Sequence, residues 1–390
     1  IKQQPDKVKD LIEKVRTDGL QSAYEVVDTK LNELLPLGYA NVGKVIAIGK
    51  GVSKFKIGDR VVSNGPHSEI VCVPENLCAL IPSNVSDDSA VFTVLASIGL
   101  QGIRLAKPTL GETFVVSGLG LIGLLTAQLL KANGCSVLGF DPDKSKCSLA
   151  ETFGISTFDL SSKSDPVGWT LDKTNGYGID GVLVTAATAS SDPIHLAAQV
   201  CRKRGRIVLV GVTGLELRRD LFYKKEISFQ VSCSYGPGRY DKTYEENGVD
   251  YPIGFVRWTE QRNFQAILKA FEFGSLQTAQ LISHRFGIED SSKAYELLTG
   301  KEKHLGIILK YKGNADQNKR YFSLNTASNL DQTSSAVIGF IGVGNYAKRI
   351  LIPAFSKSGA CLHTIAASSG IGPVQMGKKF GFKFATTDLN

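Results

Sequence analysis

Two glycine-rich loops carry the strongest chemical signal in this sequence. Thr113-Phe-Val-Val-Ser117 runs straight into Gly118-Leu-Gly120-Leu-Ile-Gly123, and an apolar stretch of helical pattern follows. Gly118 permits a tight turn, Gly120 lets a pyrophosphate approach the main chain, and Gly123 lets the helix pack on the strand. The opening N–H groups of that helix, from Leu121 and Ile122 onward, would meet the phosphates at the positive end of the helix dipole. Asp141 ends the next strand-like run, where a carboxylate can accept from ribose hydroxyls and repel a 2′-phosphate. Before Pro142 it also reads as a turn former. NAD is the expected cofactor here, with NADP disfavoured. The second loop, Gly342-Val-Gly344-Asn345-Tyr346-Ala347, has the same form, but the run after it ends in Ser368-Ser369 without a carboxylate. NAD or NADP is expected there.

The elements that must hold these loops follow from periodicity. Residues 1–35 carry a helical pattern, with Val8, Leu11, Ile12 and Val15 on one face. Short β-type runs follow at 42–48, 60–63, 68–73 and 78–81. Strands are then expected at 113–117, 136–140, 181–185, 206–210 and 227–232, with a helix over 121–132. An amphipathic helix after Phe264 and a strand at 306–311 close the unit. Residues 312–335 are polar and read as a linker. A strand over 336–341, a helix over 348–355 and a strand over 362–367 open another unit. Alternating β and α elements imply an α/β fold with a parallel sheet covered on both faces.

Bulk properties exclude several classes. The net charge is +8, but the basic residues are scattered, so no nucleic-acid stripe is expected. A mildly basic surface suits phosphorylated or carboxylated small molecules. The longest apolar run, 119–130, is broken by Gly120 and Gly123 and is too short to span a membrane. The seven cysteines include no C-x-x-C pair and point to a reducing, cytoplasmic setting. The sequence opens at Ile1 and stops at Asn390 soon after the second loop, so it is expected to be a fragment of a longer protein.

Gly38-Tyr-Ala-Asn-Val-Gly43, Gly58-Asp59-Arg60-Val61, the first glycine loop and Gly205-Arg-Ile-Val-Leu-Val-Gly211 together resemble the medium-chain dehydrogenase/reductase superfamily. The likeness covers roughly residues 36–312. A closer likeness is to two-part oxidoreductases of bacterial surface-polysaccharide gene clusters. In these, such a half precedes a glucose–fructose oxidoreductase/inositol dehydrogenase-like half. Gln4-Pro-Asp-Lys-Val-Lys9, Val62-Ser-Asn-Gly-Pro-His67 and Ser232-Cys-Ser-Tyr-Gly-Pro-Gly-Arg-Tyr240 carry it. The resemblance implies a Rossmann doubly wound parallel sheet, a chaperonin-10-like β-barrel substrate domain and a partial second Rossmann domain. The implied divisions are a substrate domain at 1–96, an NAD-binding domain at 97–269 and a return to the substrate domain at 270–312. A linker at 313–335 and the second Rossmann start at 336–390 follow. The resemblance also places Lys146 at the adenosine ribose, Gly211 and Val212 beside the nicotinamide, and Ala186-Ala187 after the fourth strand. Edge-to-edge pairing of the 227–232 strand would give a homodimer or higher oligomer.

Departures from that family bear on mechanism. Zinc members carry Gly-His-Glu where this chain has Gly38-Tyr39-Ala40, and residues 90–105 offer neither Cys nor His. The four-cysteine structural lobe is also missing, so no metal is expected. Tyr39 stands in the place of the lost ligand and can donate to a developing alkoxide. His67 after its Gly-Pro turn is a candidate proton shuttle. Arg239 is a candidate carboxylate or phosphate clamp, and Tyr235 or Tyr240 could stack on a sugar. The expected activity is zinc-independent hydride transfer on an alcohol or carbonyl, of a sugar or nucleotide sugar. A silent cofactor-binding scaffold for a downstream dehydrogenase domain and a quinone or enone reductase are the alternatives.

Overall fold

The computed structural model describes residues 36–313, 321–324, 336–368 and 370–389. The helix expected within 1–35 lies outside them. Two units divide the chain, one of them 37–313. It opens with β1 (Asn41–Lys44), β2 (Arg60–Ser63) and β3 (Cys78–Leu80), an antiparallel sheet in that order. Helix α1 (Thr93–Ala106) then leads into β4 (Thr113–Ser117), β5 (Ser136–Asp141), β6 (Ser156–Asp159), β7 (Ile179–Val184), β8 (Cys201–Leu209) and β9 (Ser228–Val231). These six strands are all parallel, in the order β6-β5-β4-β7-β8-β9. The order reverses at β4, and in such sheets ligands bind in the crevice outside the carboxyl ends at that point.

Alternation along the strands sends side chains to two cores. Phe114 and Val116 of β4 face one, with α1, α2 (Leu121–Ala132) and α3 (Glu260–Glu272). Val115 faces the other, with Val182, Ile207 and the helix Asp192–Val200. α2 follows the expected bounds. Its run of Leu and Ala residues is buried over most of its length, and the following Gly134 takes a left-handed conformation that ends it.

Several expectations change. No strand forms over 68–73: Ser68 Oγ donates to the Ile70 carbonyl and Val71 folds back over Gly65, so the run turns on itself. Among the described residues, β1–β3 and the parallel pair β10 (Ile282–Gly287) and β11 (Gly306–Lys310) are separate ladders, not one closed barrel. The divisions expected at 96/97 and 269/270 fall inside α1 and α3, which belong to the same core. Among the described residues no helix is long and apolar enough to cross a membrane.

In the other unit, β13 (Val337–Ile341), β14 (Cys361–Ala366) and β15 (Phe384–Thr386) are parallel. Part of the expected linker is a strand: β12 (Tyr321–Ser323) pairs antiparallel with β15. The helix expected over 348–355 begins as a wider π-turn, Ala347–Leu351, before Ile352–Ser356. Pro353 has no N–H to offer the Arg349 carbonyl, which disrupts the regular ladder.

Leu125 of α2 is fully buried beneath the sheet, at 0% exposure. Leu125→Ala should therefore cost about 2–5 kcal/mol of stability in chemical denaturation. A loss below about 1 kcal/mol would contradict this packing.

Candidate active site

One peptide group sits at the reversal point of the large sheet. The Gly118 carbonyl accepts from Thr185 Oγ1 at 2.6 Å, and the adjoining Leu119 N–H donates to Asp141 Oδ2 at 2.7 Å. The loop leaving β4 is thus tied to β7 on one side and β5 on the other. Gly118 has φ +100°, and a Cβ there would lie 2.6 Å from the Ala186 nitrogen. A Cβ on Gly123 would lie 1.9 Å from the Gly118 oxygen. Around Gly120 the same construction meets nothing within 4 Å, so the main chain is open there to a ligand. The N–H groups of Leu121, Ile122 and Gly123 begin α2 and have no acceptor within the helix. These features fit a dinucleotide's pyrophosphate.

Asp141 is only 5% exposed. Its second oxygen, Oδ1, accepts from the Asp143 N–H at 2.8 Å, so the turn-forming role is realised. Each oxygen retains a lone pair beyond these bonds. Lys146 lies one turn into the next helix, Lys144–Thr152. The Ser145 hydroxyl, with smaller contributions from Lys303 and Lys146, holds the Asp143 carboxyl below its ordinary range. Across the crevice, Val212 N–H donates to the Ala186 carbonyl at 3.0 Å, and Thr188 N–H to the Val212 carbonyl at 2.8 Å. A side chain on Gly211 would collide with the Ala186 oxygen. Ala186, Gly211 and Val212 therefore form one continuous wall.

The remaining candidates divide into two groups. His67 N–H donates to the Leu37 carbonyl, and the imidazole lies so close to Gly38 that any side chain there would strike it. Tyr39 is adjacent and 49% exposed. His67 Nδ1 meets the Tyr295 hydroxyl at 2.5 Å, and partial burial lowers the imidazole's pKa. Tyr295, which the sequence did not single out, lies on the helix Ser291–Thr299.

The loop at 234–240 behaves differently from expectation. Tyr235 is 3% exposed, and its hydroxyl accepts from Asn64 Nδ2 at 3.3 Å, so it is a core residue and not a sugar platform. Arg239 is not a free clamp: it pairs with Glu245 at 2.5 Å and lies 4.1 Å over the Tyr240 ring. A half-buried guanidinium without a carboxylate would be costly, and Glu245 removes that cost. Glu260 is fully buried, and among the described residues no donor group reaches either carboxyl oxygen. Burial first, and Glu245 after it, push this carboxyl up to about 8.

Zinc does not fit the described residues. Ala40 has no donor, tyrosine is not a usual zinc ligand, and no three His, Cys, Asp or Glu side chains gather as a metal site among the described residues.

A family model described as zinc-binding dehydrogenase matches residues 122–247, the sheet half of the larger unit. D-guloside 3-dehydrogenase of Escherichia coli (strain K12) is 29% identical over 270 residues, 66% of this chain and 72% of the relative. Sorbitol dehydrogenase of Halalkalibacterium halodurans is 25% identical over 303 residues, 68% of this chain and 80% of the relative. An alcohol dehydrogenase from Thermus sp. ATN1 shares the fold with TM-score 0.59 at 21% identity, covering 71% of this chain and 84% of that one.

Glu260 gives a test of the site's electrostatics. The folded carboxyl keeps its proton to about pH 8, whereas an ordinary glutamate loses it near 4.5. The folded state then binds more protons across that window, and stability must fall as pH rises through it. Glu260→Gln should flatten the decline in melting temperature between pH 5 and about 8. An unchanged slope would mean Glu260 is ionised in the fold. With its glycine cradle, sheet order and relatives taken together, the chain is similar to medium-chain, zinc-type alcohol dehydrogenases, and its relatives support an oxidoreductase acting on a CH–OH group.

Proposed function

We propose that the chain catalyses zinc-independent hydride transfer between NAD(H) and an alcohol or carbonyl carbon of a sugar or nucleotide sugar. The single observation that carries this is the Gly118–Leu119 peptide, clamped between Asp141 and Thr185 beside the open main chain at Gly120. The relatives' names support the substrate class: they include a D-guloside 3-dehydrogenase, a sorbitol dehydrogenase and an alcohol dehydrogenase.

When bound, the nicotinamide supplies or accepts the hydride. The chain's residues do the rest. Asp141 would hold the ribose hydroxyls on its remaining lone pairs, with Lys146 on the following helix, and the α2 N-terminus would hold the pyrophosphate. Ala186, Gly211 and Val212 would line the nicotinamide. On the substrate side Tyr39 donates a hydrogen bond to the reacting oxygen. His67 exchanges the proton through Nε2, its ring held by Tyr295 at Nδ1. Lowering of the His67 pKa by burial keeps it neutral and able to accept.

The Gly342–Val343–Gly344 turn, with Asn345 and Tyr346 at the following helix start, is read as a second NAD or NADP loop. It opens a glucose–fructose oxidoreductase/inositol dehydrogenase-like domain of polysaccharide metabolism. In the larger unit β9 ends the sheet, and pairing of two such edges would make a homodimer.

A purified sample assayed with NAD and a panel of polyols and sugars should show activity that chelators leave unchanged, with no stoichiometric zinc by elemental analysis. His67→Asn and Tyr39→Phe should each lower kcat by roughly 10²-fold or more. About one zinc per chain, or unchanged kcat in both variants, would reject this mechanism. NADH should bind roughly tenfold to a hundredfold tighter than NADPH, a like-charge penalty of about 1–3 kcal/mol at Asp141. Asp141→Asn keeps an acceptor for the Leu119 N–H, so it should narrow that gap by strengthening NADPH. A chain that already prefers NADPH has a different residue at the ribose.

A further inference from the structure

Most arginines of the larger unit, Arg60, Arg206, Arg239 and Arg262 among them, face a carboxylate. Among the described residues of that unit Arg104, Arg219 and Arg257 face none, and Arg219 lies alone over the Tyr223 ring; Arg104 and Arg257 share one ring. Both lie on Trp258 instead, with their guanidinium carbons 3.4 Å and 3.8 Å from its ring centre. Two planar cations that near one ring centre cannot share a face, so the indole separates them. Stacking consumes the faces of a guanidinium and leaves its in-plane N–H donors available, the geometry that grips oxyanions.

Arg104 is also fixed in direction. Its Nε donates to Asn263 Oδ1 at 2.7 Å, and Asn263 Nδ2 donates to the Tyr235 carbonyl at 2.8 Å. Its terminal nitrogens have no hydrogen bond to described residues. Burial, with Arg257 adding to it, pushes this guanidinium down to about 10, the mark of a positive charge without compensation. The chain of contacts continues from Tyr235 to Asn64, three residues before His67. The pair is therefore coupled to the loops that carry the proposed chemistry.

We propose that Arg104 and Arg257, spaced by Trp258, form a binding site for an oxyanion group of the substrate, a phosphate or a carboxylate. This rests on the reading of the chain as a sugar oxidoreductase, and narrows its substrates to phosphorylated or acidic sugars. The anion satisfies both cations at once and anchors the sugar at a distance from the carbon that reacts.

Trp258 is its own reporter, because the sequence has only two tryptophans, Trp169 being the other. Inorganic phosphate, glucose 6-phosphate and glucuronate would be titrated into Trp169→Phe protein at constant ionic strength. Should that variant fold poorly, the difference between the unaltered chain and Trp258→Phe isolates the same signal. The expected result is a saturable change in Trp258 emission, weakened at least tenfold by Arg104→Gln and by Arg257→Gln. A phosphate arm stronger than the glucuronate arm assigns a phosphorylated ligand, and the reverse an acidic sugar. Chloride acting as well as phosphate, or an unchanged response in both arginine variants, overturns the site. The readout needs no hydride transfer. Anion binding without activity would retain the site and reject the reaction, and activity without anion binding would do the opposite.

Discussion

The geometry of the larger unit turns on the peptide between Gly118 and Leu119. Its carbonyl and its N–H point to opposite neighbours, Thr185 beyond β7 and Asp141 at the end of β5. Only a strand with parallel partners on both sides can offer its loop two such anchors, and β4 is placed so by the strand order. The anchors hold the loop where α2 can start, and α2 can approach only because residue 123 lacks a side chain. A buried carboxylate is expensive unless its bonds are made. Asp141 therefore does two jobs with one set of oxygens, fixing the loop while facing the position expected for the ribose.

The loop at 234–240 is held by a different device. Ser234, Gly236, Gly238 and Tyr240 all have positive φ, two of them with side chains that disfavour it. Such a path persists only where surrounding contacts over-determine it. Here they are Asn263 on the Tyr235 carbonyl, Asn64 on its hydroxyl and Glu245 on Arg239. The loop behaves as a rigid wall whose polar groups are turned inward. Its arginine holds the wall together, and the unpaired cations lie further along, on Trp258.

Much of the first half-site was legible because it is local. Strand, glycine loop, helix and acidic residue follow one another within thirty residues, each with its own chemical signature, and β4 and α2 formed with the expected bounds. What failed depended on distant partners. Tyr235 looked available in sequence, but it is buried in the core against Phe264, with its hydroxyl bonded to Asn64, 171 residues away. Tyr295 gave no signal, because what marks it is His67, 228 positions earlier. The run at 68–73 has strand composition, yet a serine hydroxyl bonding two residues on outcompeted the ladder. Polarity alone made 312–335 a linker, although Tyr321–Ser323 found an edge on β15.

The proposed zinc-free mechanism changes what the substrate must supply. A bound zinc would polarise a carbonyl without moving a proton, whereas a hydroxyl and an imidazole contribute roughly 10²–10⁴-fold as acid and base. That contribution is realised only if the reacting carbon is held close to both the proton donor and the hydride donor. Positioning of this kind is provided by binding energy from parts of the substrate that do not react. A neutral polyol has only hydroxyls to offer, each of which exchanges one hydrogen bond with water for another. An anionic sugar on two guanidiniums has a stronger and more directional anchor. In the proposed mechanism a zinc-free site and an anion-binding pair of arginines are thus two sides of one requirement: the first would remove a source of catalysis, and the second would provide the hold that lets weaker groups act.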